Sequence, residues 1–180
     1  IVKRAEADGY TLLMQYSGFH VITPHLAKVP QWEQKDFQPI ANIISAPQII
    51  VVRDGLPVKT LPELIAYAKA NPGKLNFGSA GAGTGTHLTA ELFQVATGTK
   101  MTHVPYKGSS PALTDLMADN LDLMFDYPMV VMPFVQSGKL KPLAVTGKER
   151  LSIAPEIPSV PELGLSRAES TAWSAVFRPA

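Results

Sequence analysis

Lys74-Leu-Asn-Phe-Gly-Ser-Ala-Gly-Ala-Gly-Thr-Gly-Thr-His-Leu-Thr-Ala-Glu-Leu-Phe93 opens with a short apolar run, Leu75 to Phe77, that suits a buried strand. It passes through Gly78, Gly81, Gly83 and Gly85 and enters an amphipathic run from Thr86 to Ala96. Strand, glycine-rich turn and helix start, in that order, leave backbone N–H groups unpaired and converging on one point. The helix dipole adds partial positive charge there, so the stretch predicts an anion site.

The spacing narrows the anion. A phosphate loop requires lysine after the last glycine of its six-residue frame. Counting from Gly78 to Gly83, the next residue is Thr84. The dinucleotide fingerprint requires glycine or alanine at 86 or 88, and Thr86 and Leu88 stand there. What remains is a small turn with hydroxyls at Ser79, Thr84 and Thr86 beside backbone amides, which suits a carboxylate. The alternative is a tight turn with no ligand, against which the density of flexible glycines argues.

Outward from this stretch, Gly9 to Ser17 reads as a turn followed by a strand, Val21 to Leu26 as a short helix and Pro30 to Lys35 as a loop carrying Trp32. Phe37 to Ile44 predicts a buried strand broken by Ala46-Pro47, and Gln48 to Arg53 a third strand. Thr60 caps a helix with Pro62 and Glu63 in its first turn, ended by Asn71-Pro72-Gly73. Further on, Met101–Tyr106, Leu121–Asp126 and Leu140–Val145 read as strands, with helices from Ser110 and from Val130 between them. Ser109 or Ser110 is the expected cap of the first of these. A capped turn at 159–162 and a final strand, Thr171–Arg178, complete the chain. Strands alternate with helix-length connections from Gln48 onward, which predicts an α/β fold with a mainly parallel sheet.

Asp126 ends a strand at the carboxyl edge, where open α/β sheets bind ligands. It is placed either to accept a hydrogen bond from a ligand or to cap the turn that follows. Ser17-Gly18-Phe19-His20 is a second strand-end loop able to supply donors, or only a turn. His87 and Glu91 lie one helical turn apart with no third ligand, so no metal is expected. His25 and His103 are isolated, and no Gly-x-Ser-x-Gly elbow is present. No catalytic residue and no cofactor is proposed.

Composition excludes several classes. Net charge is +1 over 180 residues, without a basic aromatic patch, which disfavours nucleic acid. No segment approaches the roughly 20 apolar residues of a membrane span. With no cysteine, disulfides and thiol chemistry are excluded. The first residues, Ile1-Val-Lys-Arg, carry no signal peptide and point to a processed or incomplete start.

Residues 71–93 closely resemble a hallmark of the tripartite tricarboxylate transporter receptors, the Bug proteins. So do His103-Val-Pro-Tyr-Lys-Gly-Ser-Ser-Pro, Leu121-Asp-Leu-Met-Phe-Asp126, Gly138-Lys-Leu-Lys-Pro-Leu-Ala-Val-Thr146, Ala7-Asp-Gly-Tyr-Thr-Leu-Leu13 and Asp36-Phe-Gln-Pro-Ile-Ala41. The resemblance covers essentially the whole chain. It implies a periplasmic-binding-protein-like type II fold: two α/β lobes, each with a mainly parallel sheet, joined by crossing strands and closing on ligand like a flytrap. Residues 1–46 with 171–180 would form the first lobe, and 47–170 the second. The family's usual leading strand and ligand loop would precede Ile1, and further chain would follow Ala180.

The resemblance further implies a periplasmic receptor, not an enzyme. It would be monomeric, bind a small carboxylate, dicarboxylate or amino acid, and deliver it to integral-membrane transporter subunits. An orphan sensor or an enzyme on the same scaffold are the alternatives. Carried over residue by residue, the carboxylate would be held at Ser79, Ala80, Gly83, Thr84, Gly85 and Thr86. Asp126 would face the distal end of the ligand; Ser17 and Gly18 are candidate donors from the residues of their strand-end loop and not from the resemblance. Tyr127-Pro128 stands where many relatives have Asn, Ser or Leu, so Tyr127 would narrow the pocket or offer an aromatic face.

Overall fold

A computed structural model describes residues 1–22, 24 and 32–180. Its strands are β1 (Leu13–Tyr16), β2 (Phe37–Pro47), β3 (Ile49–Arg53), β4 (Asn76–Ser79), β5 (Thr102–Pro105), β6 (Leu123–Asp126), β7 (Leu140–Val145) and β8 (Thr171–Pro179). The helices are α1 (Leu61–Ala70), α2 (Gly85–Thr97), α3 (Ser109–Met117) and α4 (Pro128–Gln136). The chain divides into two compact units, residues 1–46 with 172–180 and residues 47–171.

In the first unit, β8 lies between β1 and β2, with β1 antiparallel to it. Phe37, Ala175 and Phe177 are buried there, with Leu13, Trp32 and Trp173 against them. β2 differs from the expected buried strand. It runs on through Pro47 and is exposed over most of its length, because it occupies an edge of its sheet. The helical turn after β1 spans Gly18–Ile22, earlier than the expected Val21–Leu26. Of that expected helix Thr23, His25 and Leu26 lie outside the described residues, as do Pro30 and Gln31 of the expected loop.

The second unit carries a five-stranded sheet in the order β5-β4-β6-β3-β7. β4 is parallel to β5 and β6, whereas β3 is antiparallel to both β6 and β7. Four strands therefore share one direction, as expected of a mainly parallel sheet, and the reversed β3 makes it mixed. The hydrophobic run Ile49–Val52 is wholly buried. Such a run reports burial on both faces and not direction.

Both faces are covered, as that burial requires. Ile50, Val52, Phe77, Leu123 and Phe125 pack under α1 and α2 through Leu61, Leu64, Ala90 and Phe93. Ile49, Val51 and Met124 pack under α3 and α4 through Leu113, Leu116, Val131 and Met132. Each fully buried side chain of this kind stabilises the fold by about 1.5–3 kcal/mol. α1 starts where its cap predicts: the Glu63 N–H donates to Thr60 Oγ1 at 3.4 Å, and Lys59 N–H donates to Glu63 Oε2 at 2.7 Å. α2 stops at Gly98, which is left-handed with φ +63°.

Because β4, β5, β6 and β7 run the same way, their carboxyl ends, Ser79, Pro105, Asp126 and Val145, line one edge of the sheet. The reversed β3 begins at that same edge, with Ile49 opposite both Asp126 and Val145.

Candidate functional site

The turn between β4 and α2 is held by its own side chains. The Ala80 N–H donates to Thr86 Oγ1 at 2.9 Å, and the Gly81 N–H to Ser79 Oγ at 3.1 Å. Thr84 Oγ1 donates to the Gly81 carbonyl at 2.6 Å. A hydroxyl has one proton, so in the 2.9 Å contact between Thr84 and Thr86 it is Thr86 that donates. The Gly83 N–H donates to His87 Nδ1 at 3.1 Å, and the Thr84 N–H to the Gly81 carbonyl at 3.2 Å. The expected donors Ala80, Gly83, Thr84 and Thr86 thus use these groups to shape the turn. What the turn presents is the first turn of α2, where the N–H groups of Gly85, Thr86 and His87 have no intrahelical acceptor.

Two glycines have identifiable reasons. A Cβ on Gly78 would lie 2.5 Å from Leu121 Cδ1, so the strand needs a residue without a side chain there. Gly81 has φ +135°, a conformation that L side chains rarely adopt.

Two histidines far apart in the sequence, His87 and His103, stand together behind the turn. The His87 and His103 rings stack with centroids 3.9 Å apart, and Phe77 stacks on His103 at 4.9 Å. His103 Nε2 lies 2.6 Å from Ser79 Oγ. Burial, and then the adjacent His87, push His103 down to about 4, so its ring is neutral near pH 7. His87 Nδ1 accepts from the turn, while its Nε2 faces Glu91 at 3.6 Å. His87 could have been found from its place four residues after Gly83. His103 becomes visible only once β5 is set in register against β4, with His103 opposite Phe77.

Asp126 is fully buried at the carboxyl end of β6. Its Oδ1 accepts the Tyr127 N–H at 2.7 Å. It caps no helix: Tyr127 is the N-cap of α4, which has no side-chain cap bond. Burial raises the pKa of Asp126, opposed by the Ser109 hydroxyl and the Tyr127 N–H. The Ser109 hydroxyl nevertheless leaves Oδ2 without a well-aligned hydrogen bond. Ser109 is not the expected cap of α3; Gly108 holds that place and no side chain caps it. The turn, Asp126 and Tyr127 all belong to the second unit, and Ser17 and Gly18 to the first. Among the described residues, no group of three or more His, Cys, Asp or Glu side chains is placed to share a metal ion, and no helix is long and apolar enough to cross a membrane.

Similarity to known proteins is extensive. Protein BugT from Bordetella pertussis is 33% identical over 178 residues, covering 98% of this chain and 55% of that protein. The chain thus spans about half the length of the curated relatives it matches. The structure of Rpa4515 from R. palustris with adipate is 34% identical with a TM-score of 0.90, covering 99% of this chain and 60% of that one. MatC from Rhodopseudomonas palustris with bound malate is 28% identical with a TM-score of 0.89, covering 99% of this chain and 61% of that one. The model of the tripartite tricarboxylate transporter family receptor matches residues 1–180, and the chain belongs to that family.

Proposed function

We propose that the protein is a periplasmic receptor that captures a small carboxylate-bearing solute and delivers it to a tripartite tricarboxylate-type membrane transporter. The observation that carries this reading is the first turn of α2. Its N–H groups have no intrahelical acceptor, the helix dipole favours an anion there, and the preceding turn is already braced by its own side chains. A braced turn loses little conformational entropy on binding, which favours affinity. The carboxylate sits at Gly85 and Thr86, on a frame made by Ser79, Ala80, Gly83 and Thr84. Asp126 and Tyr127 border the same sheet edge and face the remainder of the solute. Adipate and malate, bound by the two related proteins, are the first solutes to try.

The protein acts by binding and release and not by catalysis. The serine–histidine contact at the sheet edge, Ser79 with His103, offers no accessible nucleophile. Ser79 is fully buried, and its oxygen already accepts the Gly81 N–H. The test is a thermal-shift and calorimetric screen of mono-, di- and tricarboxylates and amino acids. A bound solute at one hundred times its Kd raises stability by about 2.7 kcal/mol. Stabilisation by a carboxylate recovered chemically unchanged supports the reading. Indifference to every carboxylate, or turnover of one, contradicts it.

A further inference from the structure

Gln48 immediately precedes β3 and is only 1% exposed, yet among the described residues neither its Nε2 nor its Oε1 has a hydrogen-bond partner. Its main chain, by contrast, is clamped. The Gln48 N–H donates to Thr146 Oγ1 at 2.9 Å, the Thr146 N–H donates to the Gln48 carbonyl at 2.8 Å, and Thr146 Oγ1 donates to the Ser170 carbonyl at 2.9 Å. A fixed backbone therefore holds an amide whose donor and acceptor are both unused. Folding gains nothing from that amide, since each buried group left unpaired is destabilising, and an apolar side chain of equal length would avoid the loss.

Its position gives the amide a use. Ile49 pairs with Asp126, and β6 lies between β3 and β4. Along the sheet edge the order is thus Ser79, Asp126, Gln48. Neighbouring strands are about 4.8 Å apart, and the registers set Gln48 two residues further along than the level of Ser79, so the two are separated by roughly 12 Å. By strand alternation Gln48 shares a face with Ile50 and Val52, the side covered by α1 and α2. Asp126 shares the opposite face with Met124. All these residues belong to the second unit.

We infer that Gln48 is a ligand-contacting residue that grips the second polar end of a linear bifunctional acid whose first carboxylate sits at the start of α2. The inference rests on the receptor reading and adds the specificity-determining residue. Nε2 donates to a distal carboxylate, carbonyl or hydroxyl oxygen, and Oε1 accepts from a distal hydroxyl or amide. A chain of about four to six carbons covers the span once a hydrogen bond of about 2.9 Å at each end is added, since an extended chain advances about 3.5 Å per three bonds. A monocarboxylate of the same length brings a methyl group to the amide and leaves it unpaired, so the site rejects it.

Matched pairs, succinate with butyrate and adipate with hexanoate, differ mainly at the distal end and serve as probes in calorimetry. Wild-type protein should prefer the diacid of at least one pair by about tenfold or more. Gln48→Met should lower that preference at least fivefold, leave monoacid affinity within twofold, and keep or raise the melting temperature without ligand. If Gln48→Met fails to fold, Gln48→Glu provides the same comparison: its added charge should weaken the diacid more than the monoacid. Equal weakening of both acids, or an unchanged preference, overturns the inference and leaves the receptor reading standing. So does a lower melting temperature with unchanged preference, the outcome if the amide holds a buried water. Wild-type protein that binds no acid of either kind overturns the receptor reading and this inference with it.

Discussion

The glycine turn and the entry to β3 lie on one sheet edge and treat their polar groups in opposite ways. In the turn, the hydroxyls of Thr84 and Thr86 and the amides of Ala80, Gly81 and Gly83 are engaged with one another or with His87 and Ser79. At the β3 entry, Gln48 Nε2 and Oε1 and the neighbouring Asp126 Oδ2 are buried without a well-aligned partner. The turn shows how a flexible, glycine-rich segment becomes a rigid frame. The β3 entry shows a clamped backbone carrying polar groups that the fold leaves unsatisfied, which in a binding protein is where a ligand adds most.

The largest effect should come from overfilling the strand that supports the turn. Gly78→Val places atoms against Leu121, Ala112 and Met124. It should destabilise by about 2–3 kcal/mol, read as a lower urea midpoint at unchanged slope. The same valine at Gly73, where nothing lies within 4 Å of a Cβ, lacks the clash and shows only the strain of its φ of +75°.

The histidine stack behind the turn should make stability fall in acid. The folded pKa of His103, about 4, lies below its ordinary value of about 6.5. As pH drops, the unfolded chain therefore takes up the proton first. The associated stability is fully present above about pH 6.5 and is lost as pH falls toward 4. It amounts to on the order of 2 kcal/mol after discounting for partial exposure. Denaturant titrations of wild type and His103→Gln across that window should show a flatter profile in the variant, and parallel profiles would remove His103 from the account.

A smaller effect tests the bracing of the turn. Thr86→Val keeps shape but removes the acceptor for the Ala80 N–H and the donor to Thr84. A loss of about 1 kcal/mol in stability is expected, with carboxylate affinity falling at least severalfold because the frame loosens. If affinity held while stability fell, bracing would be irrelevant to binding.

The smallest change should be a gain. Burial raises the pKa of Asp126, so its native state holds the proton more readily than the unfolded chain does. Above the ordinary carboxylate range, the buried charge therefore lowers stability. Asp126→Asn should raise stability at pH 7 by up to about 1 kcal/mol and change which solutes bind. Lower stability would mean that the charge is better compensated than Oδ2 suggests.

Much of this contrast was legible in the residues, and the rest depended on pairing. Local signals located the elements of the second unit: Thr60 with Glu63 for α1, and the glycines for the turn. The direction of β3 was hidden because a fully buried run looks the same in either sense. β2 ran past Ala46-Pro47 because an edge strand tolerates proline. Ser79, Thr84 and Thr86 were identifiable as candidate site residues, but whether their hydroxyls faced a ligand or each other depended on the fold of the turn. His103 and Gln48 acquire a role only through register, one opposite Phe77 and the other beside Ile49 at the sheet edge.

The central claim, that the first turn of α2 holds the carboxylate, is tested most directly by Gly85→Pro. Gly85 is the first residue of α2, where proline is favoured. The preceding Thr84 has φ −75° and ψ 163°, as a residue before proline requires. The substitution removes one N–H that no helix bond uses. Calorimetry should show the carboxylate bound at least about tenfold more weakly, the loss of one hydrogen bond to a charged group, with the melting temperature of the unliganded protein unchanged. Unaltered affinity in a folded variant would contradict the claim.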